Sequence, residues 1–466
     1  MKTYGLTPDL PIDGDWCIAG SEQGAPQDWL LLGRLAEYGH RYLVKFDVTQ
    51  EKVIAIFGKR GQGKSYTLGS LIEPLVTTQE ATSIGFTTRQ RSVLIFDTLN
   101  IFQWMNVPLT EGPEKNYPEI GRQRKALYGW DVDPEPLDVQ MWVPAGYRYS
   151  LSSPSFMDLY LNVSDFDIAD WGALFDIDIV KDIKGQFLNE VFEKVVLLGW
   201  TNASGETVHP QRDYTIEDLS DCIENDNDYQ DGIFRAETRR AVLQQLKAYQ
   251  RHPVFSGTGT PLNRLLEPGK ASVVLLGRLP PDLRSVIVGT LVRRIIDERA
   301  GASENIKDLA VNPALDEETR RRKQELVKSA IPKTWIVIDE AQNVLPSDKK
   351  TSATEALVRL VKEGRNFGLS FVVTTQQPRA LDIRVMSQVE TFITHKLVAQ
   401  SDIDCVLENL KCPLPAQITD HDKTLTPRDL LRDISVGQAF VSDASTKRCF
   451  LMAVRPRVSV HGGFEA

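Results

Sequence analysis

The stretch Gly58-Lys59-Arg60-Gly61-Gln62-Gly63-Lys64-Ser65 decides the fold, because it fits the pattern G-x-x-x-x-G-K-[ST]. An apolar run at Lys52–Phe57 precedes it, and a helical pattern at Tyr66–Leu75 follows it. A strand, a glycine-rich turn and a helix in this order let backbone N–H groups surround a phosphate at the amino end of the helix. The sequence therefore predicts a site for the phosphates of a nucleotide, and we expect ATP with Mg²⁺ as its ligand.

The predicted nucleotide-binding residues share this loop and the first turn of the helix. Lys64 brings a positive charge to the β- and γ-phosphates, and the hydroxyl of Ser65 is a predicted ligand of Mg²⁺. The full set is Gly58, Arg60, Gly61, Gln62, Gly63, Lys64, Ser65 and Tyr66.

A second motif, Trp335-Ile336-Val337-Ile338-Asp339-Glu340, is an apolar strand that ends in two carboxylates. We predict that Asp339 holds Mg²⁺ through water and that Glu340 polarises the attacking water as a general base. An apolar strand that ends in Asp-Glu can also be an ordinary strand end. Its combination with the glycine-rich loop favours the catalytic interpretation.

A third motif begins with the helix-end pattern Glu363–Gly368 and continues through the apolar run Ser370–Thr374 into Gln376. A polar residue at the tip of the strand beside the Asp-Glu strand can contact the γ-phosphate, so Gln376 is the predicted sensor. Arg365 has two interpretations. It is either an arginine finger for the γ-phosphate of a neighbouring subunit, or an arginine that caps the carbonyls of its own helix.

Short apolar runs separated by helical patterns recur along the chain and are typical of a parallel sheet covered on both faces. Besides Lys52–Phe57, they are Ser92–Phe96, Val139–Val143, Ser272–Leu276, Thr334–Ile338 and Ser370–Thr374. The fold class that they predict is α/β, with a RecA-like nucleotide-binding core and a mainly parallel sheet.

We expect four segments along the chain. They are a short N-terminal segment at 1–45 that can form a reduced β-barrel, a first part of the ATPase core at 46–149, a mainly helical insertion at 150–269, and a second core part with C-terminal strands and a tail at 270–466. The insertion shows helical patterns at Gln186–Leu198 and Phe234–Tyr249. Two polar stretches look like linkers: Asp213–Asp231, with eight acidic residues, is expected to form a solvated helix and loop, and Gly301–Lys323 ends in a basic run that favours an exposed helix.

Composition limits the class of protein. A hydrophobic fraction of 42% with 25% charged residues is typical of a globular chain. The sequence has no apolar run of about 18 residues and no basic-then-apolar start, so we expect a cytoplasmic protein without a membrane contact.

Five cysteines without a CxxC pair argue against a disulfide framework or a zinc site, and Asp420-His421-Asp422 is interpreted as a solvated turn. The net charge of -9 means that any contact with DNA must be local.

In order and spacing, the motifs resemble the HerA/FtsK superfamily and, more specifically, the HerA-type ATPases. The resemblance covers the glycine-rich loop, Phe96-Asp97, Ser272–Leu283, Ile338–Asn343, Glu363–Gly368, Thr375–Pro378, Ser435–Val441 and Val454–Arg457. It implies a homo-oligomeric, hexameric ring with ATP sites shared between subunits. It also implies Glu340 as catalytic base, Arg365 as a finger that acts in trans, Gln376 as sensor, and movement of duplex DNA through the pore.

Two departures from the family pattern bear on function. Only 57 residues precede Gly58, which is short for the family's amino-terminal β-barrel, and Thr98-Leu99-Asn100 lacks the family's His-Gly-Glu-Tyr continuation. The leading hypothesis is a ring ATPase that translocates or remodels duplex DNA with a nuclease or other effector, in DNA processing or antiphage defence. The alternative is a nucleotide-regulated scaffold that assembles and controls an effector enzyme without translocation. A conjugative coupling or secretion ATPase is disfavoured by the lack of a membrane segment.

Overall fold

The structure is a computed structural model that describes residues 12–22, 26–36, 42–110, 118–148, 155–230, 234–255, 258–414, 418–420 and 423–463. One mixed sheet of sixteen described strands runs through this part of the chain. Within these ranges, no helix is both long and apolar enough to cross a bilayer.

The strands are, in chain order, β1 (Ile12–Asp13), β2 (Trp16–Ala19), β3 (Trp29–Leu35), β4 (Leu43–Asp47), β5 (Val53–Phe57), β6 (Ala81–Thr82), β7 (Gly85–Phe86), β8 (Arg91–Asp97), β9 (Val139–Pro144), β10 (Met157–Leu159), β11 (Trp200–Thr201), β12 (Thr207–Val208), β13 (Ala271–Leu275), β14 (Lys333–Asp339), β15 (Leu369–Thr375), β16 (Thr391–Thr394), β17 (Ile418–Asp420), β18 (Lys423–Leu425), β19 (Gln438–Asp443) and β20 (Arg448–Val454).

The α-helices are α1 (Lys64–Ile72), α2 (Pro118–Tyr128), α3 (Ile168–Phe175), α4 (Ile183–Glu193), α5 (Ile216–Asn225), α6 (Asn227–Gln230), α7 (Ala236–Gln250), α8 (Leu262–Leu265), α9 (Pro281–Val311), α10 (Glu317–Ser329), α11 (Thr354–Glu363), α12 (Ile383–Met386), α13 (Gln400–Asn409) and α14 (Pro427–Asp433).

Eight neighbouring strands of the sheet are parallel, in the order β10-β9-β13-β8-β14-β15-β5-β16. Strand β15 lies between β5, which leads into the glycine-rich loop, and β14, which ends in the carboxylates. Each of the six apolar runs forms a strand whose bounds agree within one residue with the predicted ones. The predicted α/β fold class with a mainly parallel sheet is confirmed.

Alternating side chains of the central strands enter two different cores. On one face, residues such as Phe96, Ile338 and Val373 pack with apolar residues of α9 and α11. On the other face, residues such as Trp335 and Val337 pack with the apolar side of α1. Because both faces are covered, these strands need apolar residues at successive positions, which explains the uninterrupted apolar runs in the sequence.

At the β16 edge the sheet becomes antiparallel. Strand β16 pairs with β19, β19 with β20, and β20 with β3, which continues through β4. The early strands β1–β4 therefore extend the sheet that carries the glycine-rich loop. A boundary at residue 45 remains a prediction.

The segment between β9 and β13 is mainly helical in its described residues, and it contains α3–α8 with the small hairpin of β11 and β12. Asp170 of α3 is fully buried and connects this segment to the core. It accepts a hydrogen bond of 2.7 Å from the hydroxyl of Ser352 and pairs with Arg293 of α9. The assignment of 150–269 as a separate insertion remains a prediction.

The interpretation of two polar stretches as linkers is wrong. Within Asp213–Asp231, helix α5 buries Leu219, Cys222 and Ile223 against its neighbours, so its acidic residues occupy only the exposed face. Within Gly301–Lys323, helix α9 continues to Val311 and packs beside α10. The basic run belongs to α10, which buries none of its residues, as expected of an exposed helix.

A buried cluster of charges, Glu73 with Arg455 and Arg457, ties the end of α1 to the segment that follows β20. All three side chains are fully buried. Glu73 lies 3.2 Å from Nη2 of Arg455 and 3.1 Å from Nε of Arg457. Its carboxylate also accepts hydrogen bonds from the backbone N–H groups of Val458 and Ser459. Buried charges need this many partners because each one loses its hydration on folding.

Replacing Glu73 by Gln is expected to lower the free energy of unfolding by about 3–5 kcal/mol, since it leaves two buried guanidinium groups without a counter-charge. Equilibrium urea denaturation measures the change. The exposed Glu80, replaced by Gln, is the matched control and should change the free energy by less than about 0.5 kcal/mol. Equal unfolding midpoints for the two variants would contradict the structural role of the cluster.

Candidate nucleotide site

The glycines of the loop have positions that other residues could not occupy. Gly63 directly precedes α1 with a φ of 102°, a left-handed conformation that favours glycine. A Cβ atom at Gly58 would lie 2.7 Å from Cβ of His395. The loop therefore follows a tight path from β5 to the amino end of α1, where free N–H groups favour anions.

The parallel sheet brings the predicted site residues from three elements to one edge. Lys64 and Ser65 begin α1, Asp339 and Glu340 end β14, and Gln376 follows β15. Lys64, Ser65, Glu340 and Gln376 line a cleft of about 590 Å³ together with Tyr66 and His461, and Asp339 lies behind Ser65.

Asp339 is fully buried at the centre of this edge. Its Oδ1 lies 3.2 Å from the hydroxyl of Ser65 and accepts a hydrogen bond of 2.6 Å from Thr374. Burial and the nearby carboxylate of Asp97 raise the pKa of Asp339 to about 7. A carboxylate in this setting is stabilised by a cation.

The donor set at Asp339 fits Mg²⁺, which prefers oxygen ligands and binds proteins through one or two carboxylates together with substrate phosphates. Ser65 and Asp339 supply a hydroxyl and a carboxylate oxygen in direct contact. In the described part of the chain, no group of three His, Cys, Asp or Glu side chains could hold a metal ion. His421 and Asp422 of the solvated-turn prediction lie outside the described residues.

Glu340 is held by four donors. Its carboxylate accepts hydrogen bonds from Nε2 of Gln376 at 2.7 Å, from the Gln376 backbone N–H at 3.2 Å, and from Nε2 of Gln342 at 2.9 Å. Nζ of Lys64 completes the set at 3.3 Å. The Glu340 backbone has a φ of 52°, an uncommon conformation for a residue other than glycine.

Several side chains that support these carboxylates were not recognised from the sequence. The hydroxyl of Thr374 accepts a hydrogen bond from the Glu340 backbone N–H and donates one to Asp339, so it fixes both acids. Thr98 donates to the backbone carbonyl of Asp339. Thr374 is the last residue of the predicted apolar run Ser370–Thr374. Its position at the end of the strand beside the Asp-Glu strand is the sequence feature that could have identified it.

Asp97 shapes the loop that follows β8. It accepts hydrogen bonds from the backbone N–H groups of Leu99 at 3.2 Å and Phe102 at 2.6 Å. Burial raises the pKa of Asp97 to about 6. Leu99 and Ile101 of this loop line the cleft. In the sequence, the Phe96-Asp97 pair of the family resemblance marks the start of the loop.

The side chain of His395 packs against Gly58 and Gly63 of the glycine-rich loop. Its Nδ1 donates to the carbonyl of Gln438 at 2.8 Å, and its Nε2 lies 2.8 Å from the Thr67 hydroxyl. Burial lowers the pKa of His395 to about 4, with a smaller contribution from Lys64, so the imidazole is neutral. Nε2 therefore accepts the hydrogen bond from Thr67. No motif marked this histidine.

Arg365 lies at the opposite edge of the sheet from the other predicted site residues. It precedes β15, whose seven residues span about 20 Å in a parallel sheet. Its Nη1 pairs with Oε1 of Glu390 at 2.5 Å, and 57% of its side chain is exposed. The structure therefore does not bring Arg365 to the nucleotide cleft of its own chain.

Comparison with known proteins identifies relatives of the chain. Residues 31–295 match the family described as "Helicase HerA, central domain". The DNA double-strand break repair helicase HerA of Pyrococcus furiosus is 24% identical over 185 residues, or 37% of this chain and 32% of that protein. The protein of the same name from Saccharolobus solfataricus is 28% identical over 172 residues, or 36% and 30%. These matches span about a third of each relative's length.

The structure of VirB4 of Thermoanaerobacter pseudethanolicus has a similar fold, with a TM-score of 0.51 at 12% identity over 94% of this chain and 98% of that chain. The resemblance predicted from the motifs is confirmed by the family match, which covers more than half of the residues. The chain belongs to the family of the HerA helicase central domain.

Proposed function

We propose that this chain hydrolyses ATP as a homo-oligomeric, hexameric ring and that it uses the energy to translocate or remodel duplex DNA. The observation that supports hydrolysis is the convergence of Lys64, Ser65, Glu340 and Gln376 on one cleft, with Asp339 in contact with Ser65. A cation, a metal-binding pair, a base and a γ-phosphate contact are the parts that phosphoryl transfer to water requires.

In this mechanism Lys64 and the N–H groups at the start of α1 bind the β- and γ-phosphates. Ser65 and Asp339 would hold Mg²⁺. Bound Mg²⁺ would neutralise the charge that develops on the phosphates. Gln376 follows β15, beside β14, and its side chain donates to Glu340, so it can connect the γ-phosphate with the base.

Glu340 changes partners when a nucleotide binds. Lys64 pairs with Oε1 of Glu340 at 3.3 Å, and both side chains are almost fully buried. A γ-phosphate carries more negative charge than a carboxylate and attracts Lys64. Oε1 of Glu340 then keeps only the hydrogen bond from Nε2 of Gln376, and its second lone pair can accept a proton from the attacking water. The base therefore becomes available when a triphosphate is present.

The distance of Arg365 from its own cleft supports a ring. An exposed guanidinium can reach the γ-phosphate of a neighbouring subunit, where it would stabilise the charge of the transition state. Its present partner, Glu390, lies on the same chain and would be exchanged for the phosphate on assembly.

The DNA substrate is inferred from the family, whose matched relatives are named as DNA double-strand break repair helicases. We propose a nuclease or other effector as partner and DNA processing or antiphage defence as the setting. The net charge of -9 restricts DNA contacts to local surfaces. It also keeps open the scaffold alternative, in which nucleotide controls an effector without translocation.

Replacing Asp339 by Asn is expected to stabilise the protein in the absence of nucleotide and Mg²⁺. The raised pKa of Asp339, from 3.8 to about 7, means that the folded wild type binds this proton more tightly than the unfolded chain. The wild type therefore loses stability as the pH rises from 3.8 to about 7, and the loss is constant above that. We expect the variant to gain on the order of 2–4 kcal/mol at pH 8 in urea denaturation.

The same variant should lose the stabilisation that a magnesium complex of an ATP analogue gives the wild type. The exposed Asp348, replaced by Asn, is the control and should behave as the wild type in both experiments. An Asp339→Asn protein that is less stable than the wild type at pH 8 would contradict the assigned electrostatics.

ATP hydrolysis should depend on Lys64, Glu340 and Arg365 and should increase with linear duplex DNA. We expect Lys64→Ala, Glu340→Gln and Arg365→Ala each to lower kcat by at least about a hundredfold, because each removes a group that acts on the transferred phosphoryl group or on the attacking water. Lys362→Ala, an exposed cation near Arg365, is the matched control. Phosphate release measures turnover, and native mass spectrometry measures assembly.

Turnover that is stimulated by DNA and weakened by added salt would support the motor. Slow turnover that is indifferent to DNA would reject translocation and favour the scaffold. Full activity of Glu340→Gln would reject the proposed base.

A further inference from the structure

The segment that follows β20 reaches the nucleotide cleft. After the buried Glu73 cluster, the chain continues along α1, and His461 and Gly463 line the same cleft as Lys64, Ser65 and Tyr66. Gly462 packs closely on the loop after β8, since a Cβ atom there would lie 2.7 Å from the carbonyl oxygen of Ile101. This wall of the cleft is formed by residues more than 390 positions away from the glycine-rich loop in the sequence.

Arg457 holds the two aromatic rings of this wall. Its backbone N–H donates to Oη of Tyr66 at 2.9 Å, and its Nη1 donates to Nδ1 of His461 at 3.2 Å. Its Nε pairs with the buried Glu73. Both rings are therefore positioned by one residue that is itself fixed in the core.

The backbone of His461 is fixed as well. Gln123 of α2, which is 7% exposed, accepts a hydrogen bond from the His461 N–H at 3.0 Å and donates one to its carbonyl at 3.3 Å. A side-chain amide that satisfies both backbone groups of one residue leaves it little freedom to move.

The two rings form an edge-to-face pair, with centroids 5.5 Å apart and an angle of 82° between their planes. Because a guanidinium only donates, Nδ1 of His461 accepts and the proton lies on Nε2. Burial and the charge of Arg457 lower the pKa of His461 to about 3, so the ring is neutral at physiological pH. A neutral planar ring is a suitable surface for a nucleobase.

The position of the phosphates indicates where the base would lie. In the proposed site a γ-phosphate would face Glu340 and Gln376, and a β-phosphate would bind at Lys64 and Ser65. The ribose and base must therefore leave the loop on the side away from Glu340, past Tyr66 at the first turn of α1. His461 lies against Tyr66 at this side of the cleft.

We propose that His461, together with Tyr66, forms the surface that binds the nucleotide base, and that the segment Arg457–Gly463 is part of the nucleotide site. The inference rests on the proposed binding of ATP and adds the residues that recognise the base end of the nucleotide. His461 is a binding residue in this account, and Arg457 and Gln123 are positioning residues that act through it.

Two ligands distinguish binding of the base at His461 from binding of the phosphates at the glycine-rich loop. Isothermal titration would compare the magnesium complexes of a non-hydrolysable ATP analogue and of inorganic tripolyphosphate, which has no base. For His461→Ala we expect a Kd for the ATP analogue about tenfold higher than for the wild type, the size of one lost base-stacking contact. Its Kd for tripolyphosphate should be unchanged, which also shows that the loop is folded. His461→Phe should restore binding of the ATP analogue.

Other outcomes would overturn the inference. An unchanged Kd of His461→Ala for the ATP analogue would show that no base contacts this residue. Equal losses for both ligands would show that the segment supports the loop instead. Weak binding by His461→Phe would reject stacking. If the wild type binds neither ligand while remaining folded, the proposed ATP site itself fails; Lys64→Ala, which should lose both ligands, is the reference for that outcome.

Discussion

The pairing of β15 with both β5 and β14 is the constraint on which the site depends. In this parallel ladder Thr375 lies opposite Phe57 and Val373 lies opposite Ile338, so the three strands end at the same edge. The glycine-rich loop and the two carboxylates are thereby placed one strand apart. This spacing leaves room for phosphates between Lys64 and Glu340 and puts Gln376 beside both.

The same edge concentrates charge in a buried place. Asp97 and Asp339 are in register on β8 and β14 and are both fully buried, and burial raises the pKa of each. Lys64 has Glu340 as its ion-pair partner there. In the proposed mechanism, Mg²⁺ and phosphates would bind favourably here, because Mg²⁺ would neutralise the buried carboxylates and the phosphates would pair with Lys64.

The sequence allowed the prediction of the strands and of the side chains that gather at the candidate site, because both are encoded locally. Apolar runs mark buried parallel strands, and motifs mark Lys64, Ser65, Asp339, Glu340 and Gln376. Residues that contribute from distant parts of the chain could not be predicted in this way. Glu73 and Arg457 are 384 positions apart, and each alone resembles an ordinary surface charge.

The errors have a physical reason too. The polar stretches around α5 and α9 were interpreted as linkers because charged residues outnumber apolar ones there. A helix needs only one apolar stripe to pack, and in α5 Leu219, Cys222 and Ile223 provide it. Arg365 follows the end of α11, as predicted, and its pairing with Glu390 depends on the neighbouring strand β16 and has no local signal.

The proposed ring completes each active site with residues of two subunits, and the decisive experiment is to mix two inactive variants. Glu340→Gln and Arg365→Ala proteins would be allowed to exchange subunits, with mass spectrometry to verify mixed assemblies, and ATP turnover would be measured. If Arg365 acts in trans, random pairing gives about one site in four with both residues intact, and turnover should recover to about a quarter of the wild-type value. Mixed assemblies with no more activity than the separate variants would contradict the account.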